Sequence, residues 1–155
     1  MIITSHILLA DICKTLKKGG HTIVLASGGF DILHVGHIRY LNASKNEGSV
    51  LIVALNSDVS VMAFKQVKTY QPLEERMEII DAIKGVDIVT CYEEPTGHHL
   101  MSLIKPDIHA KGTDYSPETL PEYQYLIEIG VKVVFVGDKK THFSSHFRDK
   151  LKGVD

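Results

Sequence analysis

The stretch Ala26-Ser-Gly-Gly-Phe-Asp-Ile-Leu-His-Val-Gly-His37 decides the fold. It follows the apolar run Thr22-Ile-Val-Leu-Ala26 and opens into a helical pattern, His37-Ile-Arg-Tyr-Leu-Asn-Ala43. A strand that ends in glycines and enters a helix places bare backbone N–H groups at the positive end of the helix dipole, which makes an anion site. His34 and His37, three residues apart, add ring donors on one side of the incoming helix. With Gly28, Gly29, Phe30, Asp31 and Gly36 between strand and helix, the loop reads as a cradle for the phosphates of a nucleoside triphosphate. The HxxH spacing can also chelate zinc, but no acid or cysteine follows at a familiar interval, so no direct metal ligands are assigned.

The flanking chain alternates strands and helices. Ser5 caps a first helix, with Ile7, Leu8, Ile12 and Leu16 expected on one face and Lys17 to Gly20 closing it. Strand one is Thr22 to Ser27, and the next helix runs to about Glu47, ended near Gly48. Strand two, Val50 to Leu55, is apolar on both faces, as a central parallel strand should be. Asn56-Ser-Asp58 caps a short helix through Phe64, and Lys65 to Gln71 reads as a mobile loop. Pro72 starts a helix carrying Leu73, Met77, Ile80 and Ile83 at helical spacing. Then come strand three (Asp87 to Cys91), a helix from His98 to Ile104, and strand four (Ile108 to Ala110). A helix from Leu120 to Ile129, strand five (Lys132 to Val136) and a last helix from Ser144 to Leu151 complete the chain. This alternation predicts right-handed crossovers and one doubly wound α/β domain over residues 1–155.

Composition narrows the function classes. The 155 residues are 44% hydrophobic and 23% charged, with a net charge near −2. That balance gives no general reason to expect nucleic-acid or membrane-surface binding. No apolar run approaches the ~18 residues of a membrane span, and residues 1–6 lack a signal-peptide pattern. Cys13 and Cys91 have no CxxC spacing and read as buried thiols of a reducing compartment. A cytoplasmic protein is the expectation.

In a doubly wound sheet, ligands bind outside the carboxyl ends of the strands, at the switch in strand order. The unusual polar clusters all follow strands: residues 28–37, Asn56 to Asp58, Lys111 to Tyr115, and residues 137–145. Lys111, directly after a strand and beside Gly112, is placed to hold phosphate. Asp31 and Asp114 either hold Mg²⁺ through water or cap turns. By composition alone Arg76, next to Glu74 and Glu75, reads as part of a salt-bridged helix face. The pair His98-His99 reads as a solvated loop or helix start, and His142 and His146, at i,i+4, are not assigned to a metal.

Together GGFDxxHxGH, Asn56-Ser-Asp58, Pro72-Leu-Glu-Glu-Arg-Met77, Val86-Asp-Ile-Val89 and Lys111-Gly-Thr-Asp-Tyr115 resemble the cytidylyltransferase-like nucleotidyltransferases over residues 22–151. The motifs are most similar to heptose 1-phosphate adenylyltransferases, with glycerol-3-phosphate cytidylyltransferases and archaeal FAD synthases as near relatives. The resemblance implies a Rossmann-like, HUP-type fold with a five-stranded parallel sheet in the order 3-2-1-4-5. It implies Mg²⁺-dependent transfer of a nucleoside monophosphate, AMP from ATP more than CMP from CTP, to a small phosphorylated acceptor such as a sugar 1-phosphate. It also implies a homodimer. His34, His37 and Lys65 would be catalytic, with the histidines cationic beside the polyphosphate. Gly28, Gly29, Phe30, Asp31, Gly36, Lys111, Gly112, Asp114, Ser144 and Ser145 would bind the nucleotide. Asn56, Asp58 and Arg76 would order the site or bind substrate.

The chain departs from that pattern at its last motif, which resembles RTxGxSTT in relatives. Asp138 stands where the arginine would be and Phe143 replaces the first serine. Ser144 and Ser145 keep hydroxyls at the helix start, and Lys139 or Lys140 can supply the missing charge. Gln66 stands where heptose-type relatives have glycine. A nucleotide-binding module without turnover is therefore the competing class.

Overall fold

Strand β1 (Ile23–Gly28) is buried along nearly its whole length because both of its faces are covered by helices. Ile23 and Leu25 point into one apolar layer, while Val24 and Ala26 point into the other, as the two-residue period of a strand requires. In this computed structural model, which describes residues 1–139 and 149–150, β1 pairs in parallel with β2 (Val50–Asn56) and β4 (Ile108–Gly112). β3 (Ile88–Tyr92) lies outside β2, and β5 (Lys132–Val136) lies outside β4. The order is β3-β2-β1-β4-β5, the one implied by the resemblance.

Helices α1 (His6–Lys18), α5 (His98–Ile104) and α6 (Tyr123–Glu128) contribute Leu9, Cys13, Leu100, Met101, Ile104 and Leu126 to one layer. Helices α2 (Val35–Lys45) and α4 (Leu73–Asp81) contribute Leu41, Met77 and Ile80 to the other. The short α3 (Asp58–Lys65) follows β2, with Ser57 Oγ accepting from Ser60 N at 3.1 Å. Gly48, between α2 and β2, permits a close approach: a Cβ there would lie 2.7 Å from Val24 Cγ2 and 2.8 Å from the Thr22 carbonyl oxygen. The chain can therefore turn tightly into the sheet.

Several local expectations change. On α1 the buried pair is Leu9 and Cys13, flanked by Ile12 and Leu16, whereas Ile7 and Leu8 are exposed. At 100° per residue Ile7 falls opposite Leu9 and Leu16, so it cannot share their face. Cys91 is only half-buried, because its position on β3 faces the edge of the α4 layer. β4 extends through Gly112, since Lys111 and Gly112 pair with Phe135 and Val136, so Lys111 lies in the strand. Lys65 is the last residue of α3, which Gln66 ends in a left-handed conformation at φ 54°.

One element had no counterpart in the pattern. Residues 1–3 run beside the outer edge of β3, with Ile3 N donating to Val89 O at 2.8 Å and Val89 N to Met1 O at 2.9 Å. They cover a sheet edge that would otherwise expose unpaired backbone groups. The expected last helix, with Ser144 and Ser145, lies outside the described residues except at 149–150.

Candidate active site

The parallel sheet sends the chain to β2 on one side of β1 and, after β3, back to β4 on the other. A crevice opens at the carboxyl ends of β1 and β4, and a cavity of roughly 450 Å³ lies there. Gly28, Gly29, Phe30, Asp31, His34, Gly36 and His37 line it, as do Asn56, Lys65, Lys111, Gly112, Asp114 and Lys139. Crossovers of very different length thus bring most of the expected site residues to one place.

His34 and His37 cap the helix that they open. His34 is the residue before α2, in extended backbone at φ −137°, and its Nδ1 accepts from Gly36 N at 3.1 Å. In return, His37 Nδ1 accepts from His34 N at 3.2 Å. The rings stack with centroids 3.9 Å apart. Because both Nδ1 atoms accept, each ring carries its proton on Nε2, on the side away from the cap. A cationic ring would need a second proton where the cap requires a lone pair. The geometry therefore supplies two oriented Nε2–H donors.

The loop ahead of the cap is held against its own conformational preference. Phe30 and Ile32 adopt φ 49° and 53°, a region that side chains disfavour, most of all a β-branched one. Three fastenings hold them there. Phe30 packs against the rings of Tyr40 and His37. Asp31, nearly buried, accepts from the backbone N–H groups of Tyr70 and Gln71, each at 3.1 Å. Asp31 thus fastens the backbone of the loop before α4.

Arg76 is the third fastening. It is fully buried, not part of an exposed ion-paired face. Its Nη1 donates to Gly29 O at 2.5 Å and Asn56 O at 2.9 Å, its Nε to Gln71 O at 3.1 Å, and its Nη2 to Asp58 Oδ1 at 2.6 Å. One guanidinium therefore locks the β1 loop, the end of β2, the start of α3 and the loop before α4. Asp58 also accepts from Thr69 at 2.9 Å. Burial pushes the Asp58 carboxyl up, but the Arg76 and Thr69 bonds outweigh it and hold it below its usual value. Asn56 spans the same end of β2, accepting from Tyr92 Oη at 3.0 Å and donating to Ser60 Oγ at 2.9 Å.

On the β4 side, Lys111 Nζ lies 3.5 Å from Glu122 Oε1 and 5.1 Å from the Tyr115 ring centroid. Beneath it His109, fully buried, places Nε2 3.6 Å from the same Glu122 oxygen. Burial raises the Glu122 pKa, but the neighbouring His109 and Lys111 overcome this and bring it to about 2. Burial lowers that of His109. Lys111, in the cavity wall, is therefore shared with a carboxylate. Just beyond the ends of β4 and β5, Arg39 Nη1 donates to Asp138 Oδ2 at 2.8 Å, and Thr113 Oγ1 donates to Asp138 O at 2.7 Å. Among the described residues no three His, Cys, Asp or Glu side chains converge as metal ligands.

Residues 25–153 match the family described as cytidylyltransferase-like. The chain belongs to that family. It is 41% identical over 118 residues to the bifunctional protein HldE of Hahella chejuensis, covering 76% of this chain and 25% of that protein. It is 40% identical over 131 residues to HldE of Sulfurimonas denitrificans, covering 84% of this chain and 27% of that protein. The chain thus spans about a quarter of the length of these relatives. It is 31% identical to the lipopolysaccharide core biosynthesis protein of Thermoplasma volcanium, whose crystal structure matches with TM-score 0.68 over 78% of this chain and 100% of that one. Pantoate–β-alanine ligase from Francisella tularensis, 18% identical, shares the fold at TM-score 0.65 over 96% of this chain and 72% of that one.

For a cytidylyltransferase-like nucleotidyltransferase, the division of labour between lining and supporting residues is then clear. Arg76 and Asp58 do not line the cavity; they hold the residues that do. Asp138 lines it, but as the partner of Arg39. Ser144 and Ser145, the remnant of the family's last motif, lie outside the described residues, as does Lys140. Sequence reasoning missed Tyr92, Glu122 and Arg39, all of which line the cavity. The available signals were their positions at a strand end, after Pro121 near a helix start, and one turn into α2.

Proposed function

We propose that this chain transfers AMP from ATP to a small phosphorylated acceptor, a sugar 1-phosphate such as heptose 1-phosphate, and releases pyrophosphate. The reciprocal His34–His37 cap, facing the cavity from the start of α2, carries this reading. An oxygen of the acceptor phosphate attacks the α-phosphorus. The new P–O–P linkage forms as the bond to the bridging oxygen of the β-phosphate breaks, and that oxygen leaves with the electron pair as pyrophosphate. The attacking phosphate is already ionised, so no strong general base is required, and positioning with charge stabilisation carries the rate.

In this scheme the amides of residues 28–30 and the start of α2 lie along the phosphates, and the His34 and His37 Nε2–H groups donate to the oxygens that gain charge. Lys65, at the end of α3 and in the cavity wall, reaches the α-phosphate or the acceptor phosphate. Mg²⁺, when bound, neutralises charge on the departing pyrophosphate. The hard oxygen of Asp114, in the cavity wall beside Gly112, suits contact with that ion through water. The preference for ATP over CTP and the heptose acceptor rest on the resemblance of the motifs to heptose 1-phosphate adenylyltransferases. CTP with glycerol phosphate, or ATP with FMN, are the neighbouring chemistries. A homodimer and a cytoplasmic location belong to the same proposal. No helix among the described residues is long and apolar enough to cross a membrane.

A second reading has one observation behind it. Asp138 occupies the motif's arginine position and engages Arg39, so the site carries a carboxylate where the resembled motif carries a cation. A nucleotide-binding module without turnover fits that substitution. Pyrophosphate release from ATP or CTP across phosphorylated sugars, polyols and FMN separates the readings. Tight nucleotide binding without release for any acceptor favours the module.

A further inference from the structure

The cavity has two unlike walls. One is built by the β1 loop, α2 and α3, and presents His34, His37, Arg39 and Lys65. The other is built by the ends of β3 and β4 and the approaches to α5 and α6, and presents Tyr92, Thr96, Gly97, Tyr115, Lys111 and Glu122. The first wall is rich in donors to phosphate. The second contains Glu122, a carboxylate with 7% of its surface exposed.

An anion inside a phosphate-binding cavity opposes the ligand's charge unless it has a separate task. Glu122 Oε1 lies 3.6 Å from the Nε2 of buried His109 and 3.5 Å from Lys111 Nζ, and these neighbours hold its carboxyl well below the usual carboxylate range. A carboxylate can only accept hydrogen bonds, so its ligand partner must be a donor. Lys111 already balances its charge, which leaves an uncharged donor, a hydroxyl, as the matching group. The rest of this wall adds the Tyr92 hydroxyl, fixed by Asn56 at 3.0 Å, and a second hydrogen-bond acceptor in the Asp114 carboxylate beside Gly112. The resulting polarity suits a molecule with phosphate at one end and a hydroxylated, uncharged body at the other.

We propose that Glu122, braced by Lys111, hydrogen-bonds the hydroxyl groups of the acceptor's polyol body and so selects sugar or polyol phosphates over acceptors without such hydroxyls. This rests on the nucleotidyl-transfer reading for the word acceptor, but its test needs no turnover. Calorimetry on the full chain compares wild type with Glu122→Gln, using heptose 1-phosphate, mannose 1-phosphate, glycerol 3-phosphate, inorganic phosphate, ATP and 2′-deoxy-ATP.

The expected result is a roughly 10- to 100-fold loss of sugar-phosphate affinity, the size of a hydrogen bond to a charged group. Inorganic phosphate and ATP should change less than about threefold. Should Glu122→Gln fail to fold, wild type is titrated with mannose 1-phosphate and its 2-, 3-, 4- and 6-deoxy analogues, and at least one must bind about tenfold more weakly. Unchanged sugar-phosphate affinity in a folded Glu122→Gln variant overturns the assignment and leaves the ion pair a structural brace. A loss seen with ATP but not 2′-deoxy-ATP also overturns it, placing the hydroxyls on ribose. So does wild type that binds none of the sugar or polyol phosphates. Protein that binds sugar phosphate through Glu122 yet releases no pyrophosphate leaves this inference standing and removes the catalytic reading.

Discussion

Arg76 Nη2 lies 2.6 Å from Asp58 Oδ1, in a guanidinium with no solvent exposure that also bonds the carbonyls of Gly29, Asn56 and Gln71. The pair is the fixed point from which three loops are held. Arg76→Met should destabilise the protein by about 3–5 kcal/mol, because it strands buried acceptors and one carboxylate. Arg76→Lys should recover little, since a point charge cannot serve a forked set of acceptors. Urea unfolding measures both variants. A loss below ~1 kcal/mol for Arg76→Met would show that the clamp is not structural.

His34 serves as a cap and, in the proposed reaction, as a donor, and the two roles can be separated. Asn is a good N-cap residue, so His34→Asn should keep stability within about 1 kcal/mol, whereas His34→Ala should lose a further ~1 kcal/mol. Both should lower turnover by roughly 10²- to 10³-fold, the usual effect of removing a transition-state donor. His37→Ala should lower turnover by roughly 10²- to 10⁴-fold. Wild-type turnover in His34→Asn would confine His34 to the cap.

Acid should weaken the fold in two stages, read by thermal unfolding against pH. His109 has a folded pKa below its ordinary 6.5 because burial disfavours its charged form. The unfolded chain takes up that proton first, so stability falls as pH drops below about 6.5. Glu122, near 2 in the fold against 4.5 ordinarily, contributes stability that is complete above about 4.5 and lost as pH falls toward 2. Glu122→Gln should flatten the second stage. An unchanged acid limb would remove Glu122 from the pH dependence.

The Arg39–Asp138 ion pair, 2.8 Å long and half-exposed, involves the position where the resembled RTxGxSTT motif has its arginine. Asp138→Asn should raise ATP affinity about 3- to 10-fold at low salt by releasing Arg39 and removing a negative charge, and the gain should shrink as salt screens it. Arg39→Ala should lower affinity by a similar factor. ATP titrations at two ionic strengths decide the matter. If Asp138→Asn weakens ATP binding, the carboxylate is needed for the nucleotide and the pair is not a restraint on Arg39.

The sheet was legible in the sequence because parallel strands buried on both faces must be continuous apolar runs, and Val50 to Leu55 is one. The β1 loop and the start of α2 were legible because glycines after an apolar run, followed by helical spacing, mark a strand-to-helix turn. Arg76 was not: Glu74-Glu75-Arg76 resembles a solvated face by composition. Its register tells otherwise, since position 76 shares the helical stripe of Leu73, Met77 and Ile80. For Glu122 the local signal, a position after Pro121 near a helix start, was weak; its meaning comes from β4, which packs beside it only in the fold. The α1 face was misread because six apolar residues in one helix offer more than one stripe, and only the sheet beneath chooses Leu9 and Cys13.

The central claim is nucleotidyl transfer at the α-phosphorus, and ATP labelled there tests it most directly. With Mg²⁺ and heptose 1-phosphate, the account predicts label in the sugar product, one unlabelled pyrophosphate per transfer, and loss of both in His37→Ala. Label remaining in ATP or appearing as ADP, with no pyrophosphate for any phosphorylated acceptor, would contradict it.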